Sequence, residues 1–236
     1  MTACVYCNSP TRPYWKNTRI SFRKCNSCGL VFKTPFPTIH ELEALYKVAW
    51  TKPSNQINEV GHRFSRVEAG QYVRQIHRSV GERGIIGTRI LDYGAGRGYM
   101  LKALIEFGVE AHGYEPYGGS LLRKTGLPCF THLEEIPCDM RFDGVIVMDV
   151  FEHLIAPWES LSSVRGYVKN GGFVIVSTPN PDGLNARLRR SNWREADKLG
   201  HILFATDKTL KAILLNSGYS NARSLRWETY RGSNIV

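Results

Sequence analysis

The chain has 236 residues, 42% of them hydrophobic, and a formal net charge of +10 from 31 Lys and Arg against 21 Asp and Glu. That length can bury one α/β core and leaves room for a smaller element. No apolar run nears the ~18 residues a membrane span needs, and the start Met1-Thr2-Ala3-Cys4 has neither the basic nor the apolar region of a secretory leader. A cytoplasmic protein without a membrane span is expected. Its excess positive charge favours an anionic partner such as RNA, a nucleotide-linked substrate or a phosphopantetheinyl carrier.

Residues 1–33 are polar, cysteine-rich and β-prone, with Cys4-x-x-Cys7 followed by Cys25-x-x-Cys28. Each CxxC turn can aim two thiolates at one ion, and residues 8–24 are long enough to form a hairpin that joins the pairs. The expectation is a tetrahedral zinc held by Cys4, Cys7, Cys25 and Cys28. Four protein ligands complete the shell, so its role is structural; so short a segment has little core of its own. Cys129 and Cys138 are expected to be buried small hydrophobes. Two stretches are densely basic, Lys16–Lys24 and Arg187–Arg194, the latter with Trp193 inside it.

The prolines of Thr34-Pro35-Phe36-Pro37 interrupt regular structure. Thr38-Ile39-His40-Glu41 is a capping-box pattern opening a helix with Leu42, Leu45 and Tyr46 on its apolar stripe. A second helix carries Val60, Phe64, Val67, Val73, Ile76 and Val80 near helical spacing and ends at Gly81 or Gly84. Residues 34–87 thus read as a helical linker or cap.

From residue 88 strands and helices alternate. Strands are expected at 88–93, 110–115, 128–131, 142–149 and 172–178, and helices at 98–107, 118–125, 157–168 and 206–217. The last helix should have Thr206 as N-cap, Leu210, Ile213 and Leu214 inward and Gly218 after its end. Tyr219–Tyr230 reads as an edge strand. The pattern is α/β: a Rossmann-like, doubly wound, mostly parallel sheet over 88–236, preceded by the ribbon and the helical cap.

The run Asp92-Tyr93-Gly94-Ala95-Gly96-Arg97-Gly98-Tyr99 is a strand end, a glycine turn and a helix start. Its G-x-G-x-G spacing differs from the G-x-G-x-x-G that cradles a pyrophosphate. It suits S-adenosylmethionine (SAM), whose amino-acid end needs a small hollow and a nearby acid, here Asp92. Glu115, closing the next strand before Pro116, can accept the ribose hydroxyls. The expected cofactor set is Asp92, Gly94, Ala95, Gly96, Gly98, Tyr99, Glu115 and Pro116, with Asp149 and Val150 after the fourth strand. Asp149, Glu152 and His153 share a face in a helical turn, and His201 recurs before the last helix. These groups can make a general base with an orienting acid, or a divalent-metal site.

The glycine loop, Phe142-Asp143-Gly144-Val145-Ile146 and the Gly171-Gly172 turn together resemble the class I SAM-dependent methyltransferases over residues 88–218. Val150-Phe151-Glu152-His153 resembles the V-x-E-H motif of ubiquinone-pathway O-methyltransferases and of small-RNA 2′-O-methyltransferases. That resemblance implies catalytic roles for His153, Glu152 and His201, with His153 as base or substrate positioner. It also offers a second divalent metal at Glu152, His153 and His201. No Asn/Asp-Pro-Pro-Tyr motif follows the fourth strand, which leaves an alcohol as acceptor in preference to a base amine. With the four cysteines, Gly29-Leu30-Val31-Phe32-x-x-Pro35 and Thr178-Pro179-Asn180, the chain resembles a bacterial group of zinc-ribbon methyltransferases acting on saccharides and natural products. The sugar C-methyltransferases of similar ribbon carry a further C-terminal domain, which argues against their chemistry. The resemblance implies O-methylation of a small-molecule or carbohydrate-type acceptor, and the net charge favours one that is anionic or nucleotide- or carrier-linked. An RNA methyltransferase, or a SAM- and zinc-binding module without catalysis, are the alternatives.

Overall fold

A computed structural model describes residues 3–51, 59–225 and 233–235. The chain forms two compact units: a sheet unit of residues 44–147 and 166–175, and a ribbon unit of 1–43, 148–165 and 176–236.

In the sheet unit, β4 (Arg89–Tyr93), β5 (Glu110–Tyr114), β6 (Cys129–Phe130), β7 (Phe142–Met148) and β8 (Val168–Pro179) form a parallel sheet in the order β8-β7-β4-β5-β6. Asp92 pairs with Gly113 on one side and Ile146 on the other, one residue before the end of the central strand. Buried on both faces, these strands need continuous apolar runs, and Ile90, Leu91, Val145 and Ile146 are fully buried. Helices α3 (Tyr99–Glu106) and α4 (Gly119–Lys124) make the crossovers, with Leu101, Leu104 and Leu122 inward. In α2 (Glu59–Ser79), Ala69, Val73 and Ile76 form the buried stripe. Val67 was expected on that stripe but is 56% exposed; the side chains of Val60 and Phe64 lie outside the described residues.

Two strand expectations need correction. Lys169-Asn170-Gly171-Gly172 is not a turn before β8 but part of it, the strand starting at Val168. A Cβ on Gly172 would meet Asp143 O at 2.6 Å, so the glycine lets backbone pack on backbone. Over Tyr219–Leu225 there is only an isolated bridge at Leu225, and 226–230 lie outside the described residues. The antiparallel partner of β8 is instead β10 (Ser233–Ile235), along Ser177–Pro179. Of the two isolated cysteines Cys129 is buried as expected, whereas Cys138 is exposed in a surface turn.

The ribbon unit begins with the antiparallel strands β1 (Thr11–Lys16), β2 (Ser21–Cys25) and β3 (Val31–Lys33). A fourth strand completes this sheet from far along the chain: β9 (Leu203–Phe204) pairs with β3. Trp15, Phe22 and Val31 share one cluster with Ala186, Trp193, Ala196 and Phe204, so the ribbon borrows its core from the C-terminal third. The capping box opens α1 (Ile39–Thr51), whose residues from Ala44 onward belong to the sheet unit, as expected: Glu41 accepts from the Thr38 amide at 2.7 Å and Thr38 Oγ1 accepts from the Glu41 amide at 3.3 Å. Helix α5 (Pro157–Arg165) follows β7, then come the short α6 (Leu184–Arg189) and α7 (Arg194–Asp197). Helix α8 (Asp207–Asn216) has Thr206 as its N-cap, buries Leu210, Ile213 and Leu214, and is followed by Gly218 at φ 92°.

Candidate active site

Asp92 is carried to the end of β4, beside the start of α3, by the strand that buries its neighbours. It is 3% exposed, and its Oδ2 has no hydrogen-bond partner among the described residues. Burial pushes its carboxyl up to about 7; the Leu101 amide opposes this and the nearby Glu115 adds to it. Such an oxygen costs about 1–3 kcal/mol unless a donor arrives.

Gly94, Gly96 and Gly98 all adopt positive φ, at 79°, 53° and 75°. This lets the turn fold back so that the Gly94 and Ala95 amides both donate to Tyr114 O, at 2.8 and 3.0 Å. Around Gly96 an added Cβ would find only Gly94 O, at 3.9 Å, leaving an open cradle. Glu115 is buried and holds the loop: Oε2 accepts from Gly96 N at 3.0 Å, and Oε1 accepts from Tyr117 N at 3.0 Å and Gly118 N at 3.4 Å. Burial raises its pKa and these amides pull it back. A carboxylate has about four lone-pair sites, so one remains for a ligand hydroxyl. Pro116 is exposed beside it, and Tyr99 opens α3.

The sequence had not singled out what lies over that loop. Tyr46 stacks on Tyr117 with ring centroids 5.4 Å apart, and the Trp50 ring would be 2.3 Å from a Cβ on Gly118. Helix α1 therefore sends two aromatics onto the segment that Glu115 organises. Tyr46 was expected on the apolar stripe of a linker or cap helix, and Trp50, four residues on, was the signal not taken up.

In the ribbon unit Asp149 follows β7 at φ 52°, a left-handed conformation that Asp tolerates. It is exposed and accepts from Ser177 Oγ at 3.0 Å; Val150 leads into the single 3-10 turn Phe151–His153. Glu152 is fully buried, and its Oε2 accepts from Thr178 Oγ1 at 2.9 Å while Oε1 lacks a partner among the described residues. Burial raises its pKa well above the usual range, and the Asp149 charge adds to this. His201 Nε2 lies 3.9 Å from Glu152 Oε1, and His201 Nδ1 lies 3.6 Å from Glu195 Oε2; both are too long for hydrogen bonds. The His153 and His201 rings meet edge-on at 4.6 Å, and burial lowers their pKa values to about 4 and about 2. His153 Nδ1 lies 3.0 Å from Gly200 O. A carbonyl can only accept, so the ring proton sits on Nδ1 and Nε2 carries the lone pair.

The expected trio is thus brought together, with metal-competent atoms of Glu152, His153 and His201 within 4.8 Å of one another. Thr178, Glu195 and the Gly200 carbonyl join it unannounced, because side chains from separated segments leave no local pattern. Lys33 is another such addition: its amide donates to Ile202 O at 2.7 Å and its Nζ to Leu199 O at 3.1 Å, so the ribbon's third strand holds the His201 loop.

The four ribbon cysteines also converge, with Sγ–Sγ distances of 3.7 Å for Cys4–Cys28 and 3.5 Å for Cys7–Cys25. A tetrahedral zinc with ~2.3 Å Zn–S bonds has edges of about 3.8 Å, so the donor set fits that ion. The hydrogen bond from Cys28 lowers the Cys4 thiol to about 5, and the same contact together with burial raises that of Cys28. The Cys28 carbonyl is held by Thr209 Oγ1 at 2.9 Å, near the start of α8.

A family profile described as "Methyltransferase domain" matches residues 62–224. The chain belongs to this family, and within it to the class I SAM-dependent methyltransferases. The ubiquinone biosynthesis O-methyltransferase of Bradyrhizobium diazoefficiens is 27% identical over 146 residues, covering 56% of this chain and 57% of the relative. The tRNA U34 carboxymethyltransferase of Methylococcus capsulatus is 25% identical, covering 59% and 47%. The chain therefore spans about half the length of the curated relatives it matches. In fold, it is similar to the crystal structure of Burkholderia thailandensis 1,6-didemethyltoxoflavin-N1-methyltransferase, with a TM-score of 0.58, 16% identity and coverage of 95% of this chain and 96% of that one. No helix among the described residues is long and apolar enough to cross a membrane.

Proposed function

We propose that this cytoplasmic methyltransferase moves a methyl group from SAM to the hydroxyl of a small-molecule or carbohydrate-type acceptor, anionic or nucleotide- or carrier-linked. The observation that carries the reading is the hydrogen bond from His153 Nδ1 to Gly200 O, which fixes the tautomer whose Nε2 can take a proton. Roles follow by segment: residues 1–33 bind structural zinc through Cys4, Cys7, Cys25 and Cys28, 34–87 form the helical cap, and 88–236 bind SAM.

Asp92 Oδ2 suits an ammonium group, the Gly94–Gly98 cradle suits a carboxylate, and Glu115 has a lone pair for a ribose hydroxyl. Bound SAM supplies a methyl group made electrophilic by its sulfonium. The acceptor hydroxyl becomes strongly acidic as its oxygen gains carbon, so even the weak base His153 suffices, and the hydroxyl proton passes to Nε2. Glu152, fixed by Thr178, and His201 set the edge against which the His153 ring stands. Burial keeps both histidines neutral near pH 7.

A second reading places a divalent metal at Glu152, His153 and His201. The orphaned Glu152 Oε1 and His201 Nδ1 favour it, since each is a ligand atom without a partner among the described residues. RNA as acceptor draws support from the basic charge.

The deciding experiment measures S-adenosylhomocysteine released from SAM over a panel of hydroxylated small molecules, nucleotide sugars and tRNA, with and without chelator and across salt. Turnover of a hydroxylated small molecule that is insensitive to chelator and salt supports the first reading. Chelator-sensitive turnover supports the metal. Turnover of tRNA alone, falling steeply with salt, or methylation at nitrogen or carbon, overturns it.

A further inference from the structure

The two basic stretches end differently. In the first, Lys24 pairs with Asp182 at 3.6 Å, Arg19 with Asp197 at 3.0 Å, and Arg23 donates to Thr11. Those contacts, with Lys198 on Glu195, also engage the acids that flank the second stretch, Asp182, Glu195 and Asp197. Arg187, Arg189, Arg190 and Arg194 are exposed and have no carboxylate partner among the described residues.

Beside them stands an unusual apolar surface. Leu184 and Leu188 of α6 are 76% and 73% exposed. At ~100° per residue the two helix leucines lie about 40° apart, with Arg187 on one flank and Asn185 and Arg189 on the other. Ala186 points the opposite way and is buried with Trp193 and Ala196 in the ribbon-unit core. Asn17 Nδ2 ties the same segment down by donating to Ser191 O at 2.9 Å. The inner face is thus anchored, and the outer face shows a leucine ridge fringed by guanidinium groups. Arg190, at φ 51°, closes the helix after six residues.

We propose that this face docks on an anionic lipid surface. Size decides between occupants: a helix ~9 Å long offers far less than the ~800 Å² per partner of a stable protein interface. A bilayer asks for less, namely a few apolar side chains inserted below the headgroups and cations at the phosphate level. Arginines beside the leucines can keep their heads at that level while their stems follow the apolar ridge. RNA offers phosphates but nothing for the protruding leucines. The contact places the enzyme at the membrane surface without a spanning segment, and it goes beyond the acceptor reading, on which it does not depend.

The test is co-sedimentation of the full chain with vesicles of phosphatidylcholine alone and with about a third phosphatidylglycerol. The wild type should partition at least about tenfold more strongly onto the anionic vesicles, less so in high salt. The pair Leu184→Ser with Leu188→Ser should lose most of that binding while its melting temperature and S-adenosylhomocysteine affinity stay as in the wild type. The pair Arg187→Gln with Arg189→Gln should lose the preference for anionic lipid. Equal binding to both vesicles, or full binding by the leucine variant, overturns the proposal. So does a concentration-dependent dimer in light scattering that the leucine variant abolishes, since a second copy would then cover the face.

Discussion

Asp92 and Glu152 are both buried carboxyls with one orphaned oxygen, yet they are held in opposite ways. Asp92 belongs to a loop organised by backbone amides: Gly94, Ala95 and Gly96 donate to Tyr114 O and Glu115. Glu152 sits among side chains from separated segments, with Thr178, His153 and His201 around it and Glu195 beside His201. A backbone cradle resists side-chain substitution and fixes a ligand common to a whole family. A cluster of side chains can be rewritten one residue at a time, which suits the half of a reaction that differs between relatives.

The largest effect should separate the two. His153→Ala should lower kcat by about 10²–10⁴ with any hydroxyl acceptor the wild type methylates, while S-adenosylhomocysteine affinity by calorimetry stays within about twofold. A matched loss of affinity would break the comparison. Conversely, Asp92→Asn should weaken SAM binding about 10–100-fold, the worth of a charged hydrogen bond, and leave the environment of His153 unchanged by nuclear magnetic resonance. The same carboxyl sets a pH dependence. The free protein holds the Asp92 proton up to about pH 7, and an ammonium partner needs it gone. Affinity should therefore fall up to about tenfold per pH unit below that value and level off above it, and Asp92→Asn should flatten the profile.

Smaller effects test the supports. Trp50→Ala should weaken S-adenosylhomocysteine binding about threefold to tenfold, because only contact area over the Tyr117–Gly118 segment is lost. Unchanged affinity would remove α1 from the cofactor site. Lys33→Met should leave cofactor affinity alone but speed amide exchange across residues 198–204 by a few-fold, the mark of a loosened local segment. Exchange at the wild-type rate would mean that the backbone bond to Ile202 alone holds the loop.

How much was legible in the sequence follows the same divide. The central strands, the glycine turn, the capping box and the Thr206 cap were readable because each is a local pattern with a backbone cause. The cysteine pairs were readable from spacing. Val67 misled because at ~100° per residue it lies about 180° from Ile76, on the face of α2 opposite the buried Ala69, Val73 and Ile76. The Lys169–Gly172 turn misled because glycines permit a strand to pack closely as well as to turn. Lys33 on the His201 loop, Trp50 on Gly118 and Trp193 beneath the ribbon were invisible, since each joins residues that only folding brings close.

The pairing of β3 with β9 has a consequence for synthesis. The N-terminal strands leave the ribosome long before Leu203 and Phe204 are made, so the apolar face of Trp15, Phe22 and Val31 must wait for its other half. Long waits of this kind slow folding and expose sticky surface. Metal capture by the four cysteines needs no later residue, and would give the nascent strands a fixed shape through that interval.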